Sequence, residues 1–275
     1  MSNNAATAKA APISEEHARY WKQIRRRNRF IMASRISLAL IIIGLWELAA
    51  HMQWIDPFIM SSPSRIVRTI ASLYRSGDLF MHIGVTLWET AAGFVLGTLL
   101  GIGIAVLLWW LPAAAQVLDP YLVVLNSLPK IALGPVIIVW VGAGAGAIIT
   151  MALLISVIVT VLNVLNAFLE VSEEKILLVR TFGATRAQIL RLVVLPASIP
   201  AMISTLKINV GMTWVGVIVG EYLVSRAGLG YLIVYGGQVF KLDLVMASIL
   251  ILAVVAAIMY LAIAHVEKKY NLTHR

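Results

Sequence analysis

Long apolar runs constrain this chain more than anything else in it. Residues 36–54, 85–110, 117–141, 147–169, 201–223 and 244–265 form six such runs, separated by short polar stretches. Each is close to or above the roughly 20 residues that a helix needs to cross a hydrocarbon layer. Inside lipid a backbone must satisfy its own hydrogen bonds, so runs of this length fold as helices. The expected fold is therefore all-α, a polytopic membrane protein with six transmembrane helices. Composition agrees: 60% of residues are hydrophobic and 13% charged, with mean hydropathy +0.90, whereas soluble domains carry about 25% charge. The chain has no cysteine. That excludes a disulfide framework, thiol chemistry and cysteine-ligated metal. The net charge of +9 sits in loops beside the spans, which is a membrane pattern and no sign of a nucleic-acid partner.

Four stretches follow along the chain. Residues 1–35 are a basic amino-terminal segment, with 1–12 rich in Ala, Ser and Asn and expected to be disordered. A secretory signal also opens with positive charge. The apolar run behind this one is long and lacks a small-residue cleavage site, so it is taken as an uncleaved first span. Residues 36–80 hold that span and a helix started by Ser62-Pro63-Ser64, too short to cross and expected at the membrane interface. Residues 81–270 form the core, and 271–275 a tail.

Within the core, the second run carries Gly93, Gly97, Gly101 and Gly103, the near-four spacing that lets membrane helices approach closely. The third is interrupted by Pro120, Pro129 and Pro135 and contains Asn126, Ser127 and Lys130. Irregular backbone and a cation at membrane depth are tolerated where they face protein or a water-filled cavity. Lys130 either lines an anion path or pairs with a backbone carbonyl nearby. The fourth run holds Asn163 and Asn166. The fifth holds Lys207, Thr213 and Glu221, the last either a gate or an interfacial cap. Trp109, Trp110 and Trp140 are expected as interface anchors.

Six spans put both termini on one side. With that side cytoplasmic, the inner segments hold sixteen Lys and Arg and the outer ones five. The positive-inside rule then makes both termini and the 170–207 stretch cytoplasmic.

Residues 171–200 read as a charged hairpin between two spans. Ser172 is expected to cap a first helix, with Glu173 and Glu174 in its first turn, where negative charge suits the helix dipole. Gly183 is expected to end it in a positive-φ conformation. Thr185 opens a second helix, and Gln188 three residues on makes a capping box. Pro196 and Pro200 are expected to stop that helix and set up the next span.

The spacing of this hairpin resembles a known signature. Gly183, nine residues, Val193, one residue and Leu195-Pro196 is similar to the loop motif of the inner-membrane permease subunits of ABC importers, with Leu177-Leu178-Val179 where the motif usually opens Glu-Ala-Ala. Thr86-Leu87-Trp88 followed by Gly93-Phe94 and Gly97, the segment from Leu128-Pro129 to Trp140, Gly220-Glu221, and Gly228-Leu229-Gly230-Tyr231-Leu232 extend the likeness over about residues 60–270. These resemble permeases of the nitrate, sulfonate and taurine group. The resemblance implies the type I ABC importer permease fold in the inner membrane and a homodimer of permeases. It also implies two copies of an ATP-binding ABC ATPase and an extracytoplasmic solute-binding protein. It casts Arg180, Thr181, Gly183, Ala184, Thr185, Val193, Leu195 and Pro196 as the ATPase-coupling loop. Asn126, Lys130, Asn163, Thr213 and Glu221 are the candidate translocation-path residues.

No cofactor or metal is expected. Gly142-Ala143-Gly144-Ala145-Gly146 lacks the Gly-Lys-Ser/Thr of a phosphate loop, and no such motif occurs elsewhere, so ATP must bind another chain. The five histidines fall near span ends or in tails. The expected cargo is a small anion such as a sulfonate, taurine or nitrate. The alternatives are a neutral or cationic nutrient, an intramembrane enzyme, or a passive channel without an ATPase. An enzyme needs a nucleophile and base or a metal cluster converging on one face, and the charged residues Glu89, Lys130 and Glu221 lie on three different runs.

Overall fold

The computed structural model describes residues 15–273. The 1–12 stretch, His274 and Arg275 lie outside the described residues. The chain forms two compact units, Met1–Ser64 and Arg65–Arg275.

In the first unit, α1 (Glu15–His51) carries the basic stretch and the first apolar run on one continuous helix. None of its apolar window is buried within the chain, as expected of side chains whose solvent is lipid. The short α2 (Pro57–Met60) is capped by Asp56, whose Oδ1 accepts the Phe58 N–H at 2.8 Å. Glu47 Oε2 accepts the Ser64 N–H at 2.9 Å. That fixes the start of α3 (Pro63–Ser76), the helix expected after Ser62-Pro63-Ser64.

The second unit is built on three long helices: α4 (Asp78–Trp110), α7 (Ala145–Leu169) and, after the hairpin, α10 (Leu195–Val224). The glycine stripe explains the first pairing. A Cβ on Gly93 would lie 2.9 Å from Ala152 Cβ, and one on Gly97 or Gly101 would collide with Ser156 or Thr160. The stripe therefore fits against a matching row of small residues on α7, the arrangement that maximises dispersion contact between membrane helices. Numbers rise together along both rows, so α4 and α7 run parallel. Opposite them, α10 runs antiparallel: Thr86 meets Glu221 and Asn209 meets Thr98.

That parallel alignment settles the interrupted third run. It forms α5 (Pro112–Ser127), a 3₁₀ turn (Lys130–Leu133) and α6 (Gly134–Val141), bent by 86° at the break. Because α4 and α7 point the same way, the chain between them must return across the layer. The bent pair is therefore a crossing and not a re-entrant loop. Counted so, the described residues hold six candidate spans, with α1, α4, α7, α10 and α12 as the others. The hairpin comprises α8 (Glu173–Thr181) and α9 (Arg186–Ile189). Beyond α10 come α11 (Leu229–Gln238) and α12 (Leu242–Thr273). Arg65 Nη2 pairs with Asp243 Oδ2 at 2.8 Å, and Lys207 Nζ with Glu267 Oε2 at 2.8 Å.

Two local expectations are corrected. Ser172 stands at the N-cap of α8, but its side chain makes no capping hydrogen bond. Pro196 and Pro200 do not stop the helix. The chain stays helical from Arg186 to Val224 as one 39-residue span. At Pro196 the reason is a π-helical turn at Leu190–Val194, in which the Leu195 N–H reaches back five residues to Leu190 O, while Pro200 is carried inside α10. A proline lacks one donor and crowds the carbonyl four residues back. A widened turn immediately before it relieves the crowding, and π-bulges are one of the usual places where a helix absorbs such a residue.

Candidate functional site

The hairpin end is built from an anchored limb and an offered one. Gly183 has φ +79°, a conformation glycine adopts without the Cβ penalty. Its N–H donates to Arg180 O at 2.9 Å and the Ala184 N–H to Val179 O at 3.2 Å. These are the two bonds of a Schellman stop. Thr185 then makes the expected capping box: Gln188 N–H donates to its Oγ1, and its own N–H donates to Gln188 Oε1 at 2.7 Å.

Past the box the chain dives into the protein. Ile189, Leu190 and Val194 pack with Ala105 and Leu108 of α4 and with Val161, Leu165 and Phe168 of α7. Ser198 Oγ donates to Ala167 O at 3.1 Å. Arg186 fastens the turn to the end of α4. Its Nη2 donates to Trp109 O at 3.1 Å, and its guanidinium lies 5.4 Å and 5.8 Å from the Trp109 and Trp110 ring centres. A cation suits this place because the last carbonyls of a helix lack intrahelical donors and carry its negative end. The two tryptophans thus hold the hairpin, a role the interface-anchor expectation did not include.

The other limb is held more lightly, with Ile176 and Val179 half-buried against the same core. α8 has no buried residue, and Leu177, Leu178 and Phe182 are 62%, 59% and 82% exposed. Between α8 and the ends of α4, α5 and α7 lies a cleft of about 720 Å³, walled by Trp109, Asp119, Asn166, Glu173, Arg180 and Arg186 among others. Of the remaining loop residues, Thr181 Oγ1 bonds Leu178 O at 2.6 Å. Val193 and Leu195 are half-buried, and Pro196 is exposed.

At the other end of α4 and α10, Glu221 is 1% exposed and saturated with donors. Thr86 Oγ1 donates to its Oε1 at 2.6 Å, and the Gly230 and Tyr231 N–H groups donate to Oε2 at 2.5 and 3.3 Å. The Leu229 N–H donates to Thr86 Oγ1 at 2.8 Å and the Gly228 N–H to His82 Nδ1 at 3.0 Å. Every one of these N–H groups belongs to the start of α11, where unpaired donors and the dipole favour an anion. A Cβ on Gly228 or Gly230 would run into the Glu221 side chain, so the glycines are what let the backbone close on the carboxylate. Gly220-Glu221 and Gly228-Leu229-Gly230-Tyr231 are therefore one clasp. Glu221 is enclosed within the chain. Thr86 and His82, which the candidate site did not include, are its partners.

The other path residues are dispersed. Lys130 is half-buried at the bend, and its Nζ donates to Asn126 O at 2.8 Å. It thereby caps the free carbonyls at the end of α5. Asn126 is exposed, and Asn163 is half-buried on α7. Thr213 is fully buried beside Gly93, its hydroxyl unpaired among the described residues. Asn209, which sequence reasoning missed, joins all three core helices. Its Nδ2 donates to Thr98 Oγ1 at 3.2 Å and to Thr160 Oγ1 at 2.7 Å. An amide in the middle of an apolar run was the available signal.

A crossing bent at its middle, a protruding hairpin and a core of close-packed parallel and antiparallel helices define a transport permease. The chain belongs to the family of binding-protein-dependent transport system inner membrane components, whose model matches residues 93–272. It is 28% identical to the putative aliphatic sulfonates transport permease protein SsuC of Bacillus subtilis, over 88% of each chain. It is 22% identical to the taurine transport system permease protein TauC of Escherichia coli, over 91% of this chain and 94% of that one. A riboflavin transport system permease protein, RibX of Chloroflexus aurantiacus, is 27% identical over 85% and 87%. In fold, the chain is similar to two crystal structures of a bacterial alginate ABC transporter, one of them in complex with a pentasaccharide-bound periplasmic protein. The TM-scores are 0.65 and 0.62, at 16% identity, over 91% and 93% of this chain and 99% and 97% of those. The protein is thus a multi-pass permease and not an enzyme, with ATP hydrolysis assigned to a separate subunit.

Proposed function

We propose that this chain is the membrane-embedded half of an ATP-driven importer for a small anionic solute, with both termini and the hairpin in the cytoplasm. One observation carries the coupling part. The hairpin is anchored on its inner limb by Arg186, Ile189, Leu190 and Val194, while Leu177, Leu178 and Phe182 stand out from the other. An exposed apolar surface backed by packed residues, here Ile176 and Val179 beneath Leu177, Leu178 and Phe182, is the mark of a docking site, and here the occupant is the ATPase. The leucines fill the place of the usual acidic opening, so the dock is apolar where the motif is charged.

Two permeases and two ATPases make the working unit, fed by an extracytoplasmic binding protein. Sixteen inner against five outer cationic residues support the orientation. Kinship to sulfonate and taurine permeases supports the anion, and Lys130 beside the bend gives its path a positive charge. Kinship to a riboflavin permease supports a second reading, a neutral cargo.

Purification of the tagged chain from its native membrane tests the assembly. An ATP-hydrolysing subunit is expected to come with it in equal number. A chain recovered without any ATPase is a channel or sensor, and the reading fails. A binding protein that holds a neutral or cationic ligand overturns the anion alone.

A further inference from the structure

The cleft of about 720 Å³ at the hairpin end lies apart from the docking face. Glu173, Ile176 and Arg180 of α8 line it, and Leu177, Leu178 and Phe182 do not. Its size is that of a small-molecule site, roughly 300–1,000 Å³. Its buried side is apolar, made by Leu108, Leu165 and Ile189, and Leu169 in its wall is 64% exposed. Four charged side chains share the cleft, all of them exposed: Asp119, Glu173, Arg180 and Arg186. Among the described residues, Asp119, Glu173 and Arg180 make no side-chain hydrogen bond or ion pair. Arg186 gives a single guanidinium N–H away, to Trp109 O. Two carboxylates and two guanidinium groups thus face one space without pairing across it.

The depth of the cleft suggests its guest. Trp109, in its wall, and Trp110 end α4, and indoles at the end of a span sit at the level of the lipid headgroups. The cleft therefore joins an apolar side to a charged one where acyl chains give way to headgroups. An anionic headgroup would suit the arginines but would meet both carboxylates. A choline headgroup has no N–H to give a carboxylate. Phosphoethanolamine offers both halves: phosphate oxygens for the guanidinium forks and a primary ammonium for the acids.

We propose that this cleft seats the headgroup of phosphatidylethanolamine, with its phosphodiester on Arg180 and Arg186, its ammonium on Asp119 and Glu173, and an acyl chain leaving over Leu169. A lipid held there ties α8, the limb offered to the ATPase, to the bilayer beside the ends of α4, α5 and α7. The placement in the cytoplasmic leaflet rests on the importer reading and its orientation. The binding itself rests on the cleft.

Native mass spectrometry of the purified, delipidated permease–ATPase complex tests it, with dioleoyl phosphatidylethanolamine, phosphatidylcholine and phosphatidylglycerol as probes. The first is expected to saturate at one lipid per permease. Phosphatidylcholine should bind about ten-fold or more weaker, the scale of one lost charge-assisted hydrogen bond, and phosphatidylglycerol weaker than the ethanolamine lipid as well. Asp119→Asn combined with Glu173→Gln should bring the ethanolamine and choline lipids to parity. Arg180→Ala should weaken all three. Equal affinity for ethanolamine and choline lipids in the wild type overturns the proposal, and so does phosphatidylglycerol bound tightest, which would make the cleft a plain anion site. A preference that the double variant does not move overturns it too. Binding of none of the three does the same and leaves the cleft to a protein partner. The mass of each complex reports whether the ATPase is present and the variant assembled, so the importer reading is scored separately in the same spectrum.

Discussion

The two ends of the α4–α10 pair solve one problem in opposite ways. Each must hold the start of a short helix against the core. At the clasp, a buried carboxylate takes three donors from Thr86, Gly230 and Tyr231. At the hairpin, the anchor is a cation on two indoles and one carbonyl, and the limb beyond it is left bare. The first end is closed on itself. The second is fastened at the turn, rests on Ile176 and Val179 beyond it, and presents apolar surface on its outer side. Rigidity at one end and reach at the other suit the proposed coupling of a partner at the hairpin to the helices of the core.

The largest effect is expected where the clasp is broken. Glu221→Ala leaves the buried Gly230 N–H and the half-buried Tyr231 N–H without an acceptor, and Thr86 with only the His82 carbonyl, a loss of about 2–4 kcal/mol. Thermal unfolding of the purified permease should show it as poor recovery and a much lower midpoint. Glu221→Gln keeps an acceptor oxygen and should lose distinctly less. If the two variants behave alike, the clasp depends on charge and not on satisfied donors.

Next is the hairpin stop. Gly183→Val forces a β-branched residue into positive φ, about 1–2 kcal/mol of local strain, on a turn open to solvent. The permease should stay in the membrane at normal abundance while the ATPase is lost or uncoupled. Instability as severe as that of Glu221→Ala would erase the contrast between the ends.

Smaller again is the anchor. Arg186→Lys keeps the charge but gives up the planar stack over Trp109 and Trp110, about 1 kcal/mol. Amide exchange should rise in α9 and stay unchanged at α11. The smallest effect is expected at Lys130. Lys130→Gln should assemble normally and slow uptake modestly, with Lys130→Arg near the wild-type rate in proteoliposomes. Uptake at the wild-type rate in Lys130→Gln would reduce the residue to its capping bond with Asn126.

Much of this was legible in the sequence because the signals are periodic or stereochemical. The apolar runs gave the spans, the glycine stripe found its partner row on α7, and Gly183 and the Thr185–Gln188 box formed as their chemistry dictates. What was not legible depends on contacts far apart in the chain. Glu221 reads as either a gate or an interfacial cap, and nothing local announces Thr86, 135 residues away, donating to it. Pro196 reads as a stop because a π-turn leaves no mark in composition. Arg186 on Trp109 joins residues 77 apart, and no local pattern announces it.

The central claim is that the bare limb of the hairpin is the ATPase dock. Phe182→Asp tests it most directly, since Phe182 is the most exposed side chain there and supports nothing within the chain. ATP hydrolysis stimulated by solute-loaded binding protein should fall to the unstimulated rate in vesicles that still contain the permease in full. Undiminished stimulation with Phe182→Asp would contradict the account.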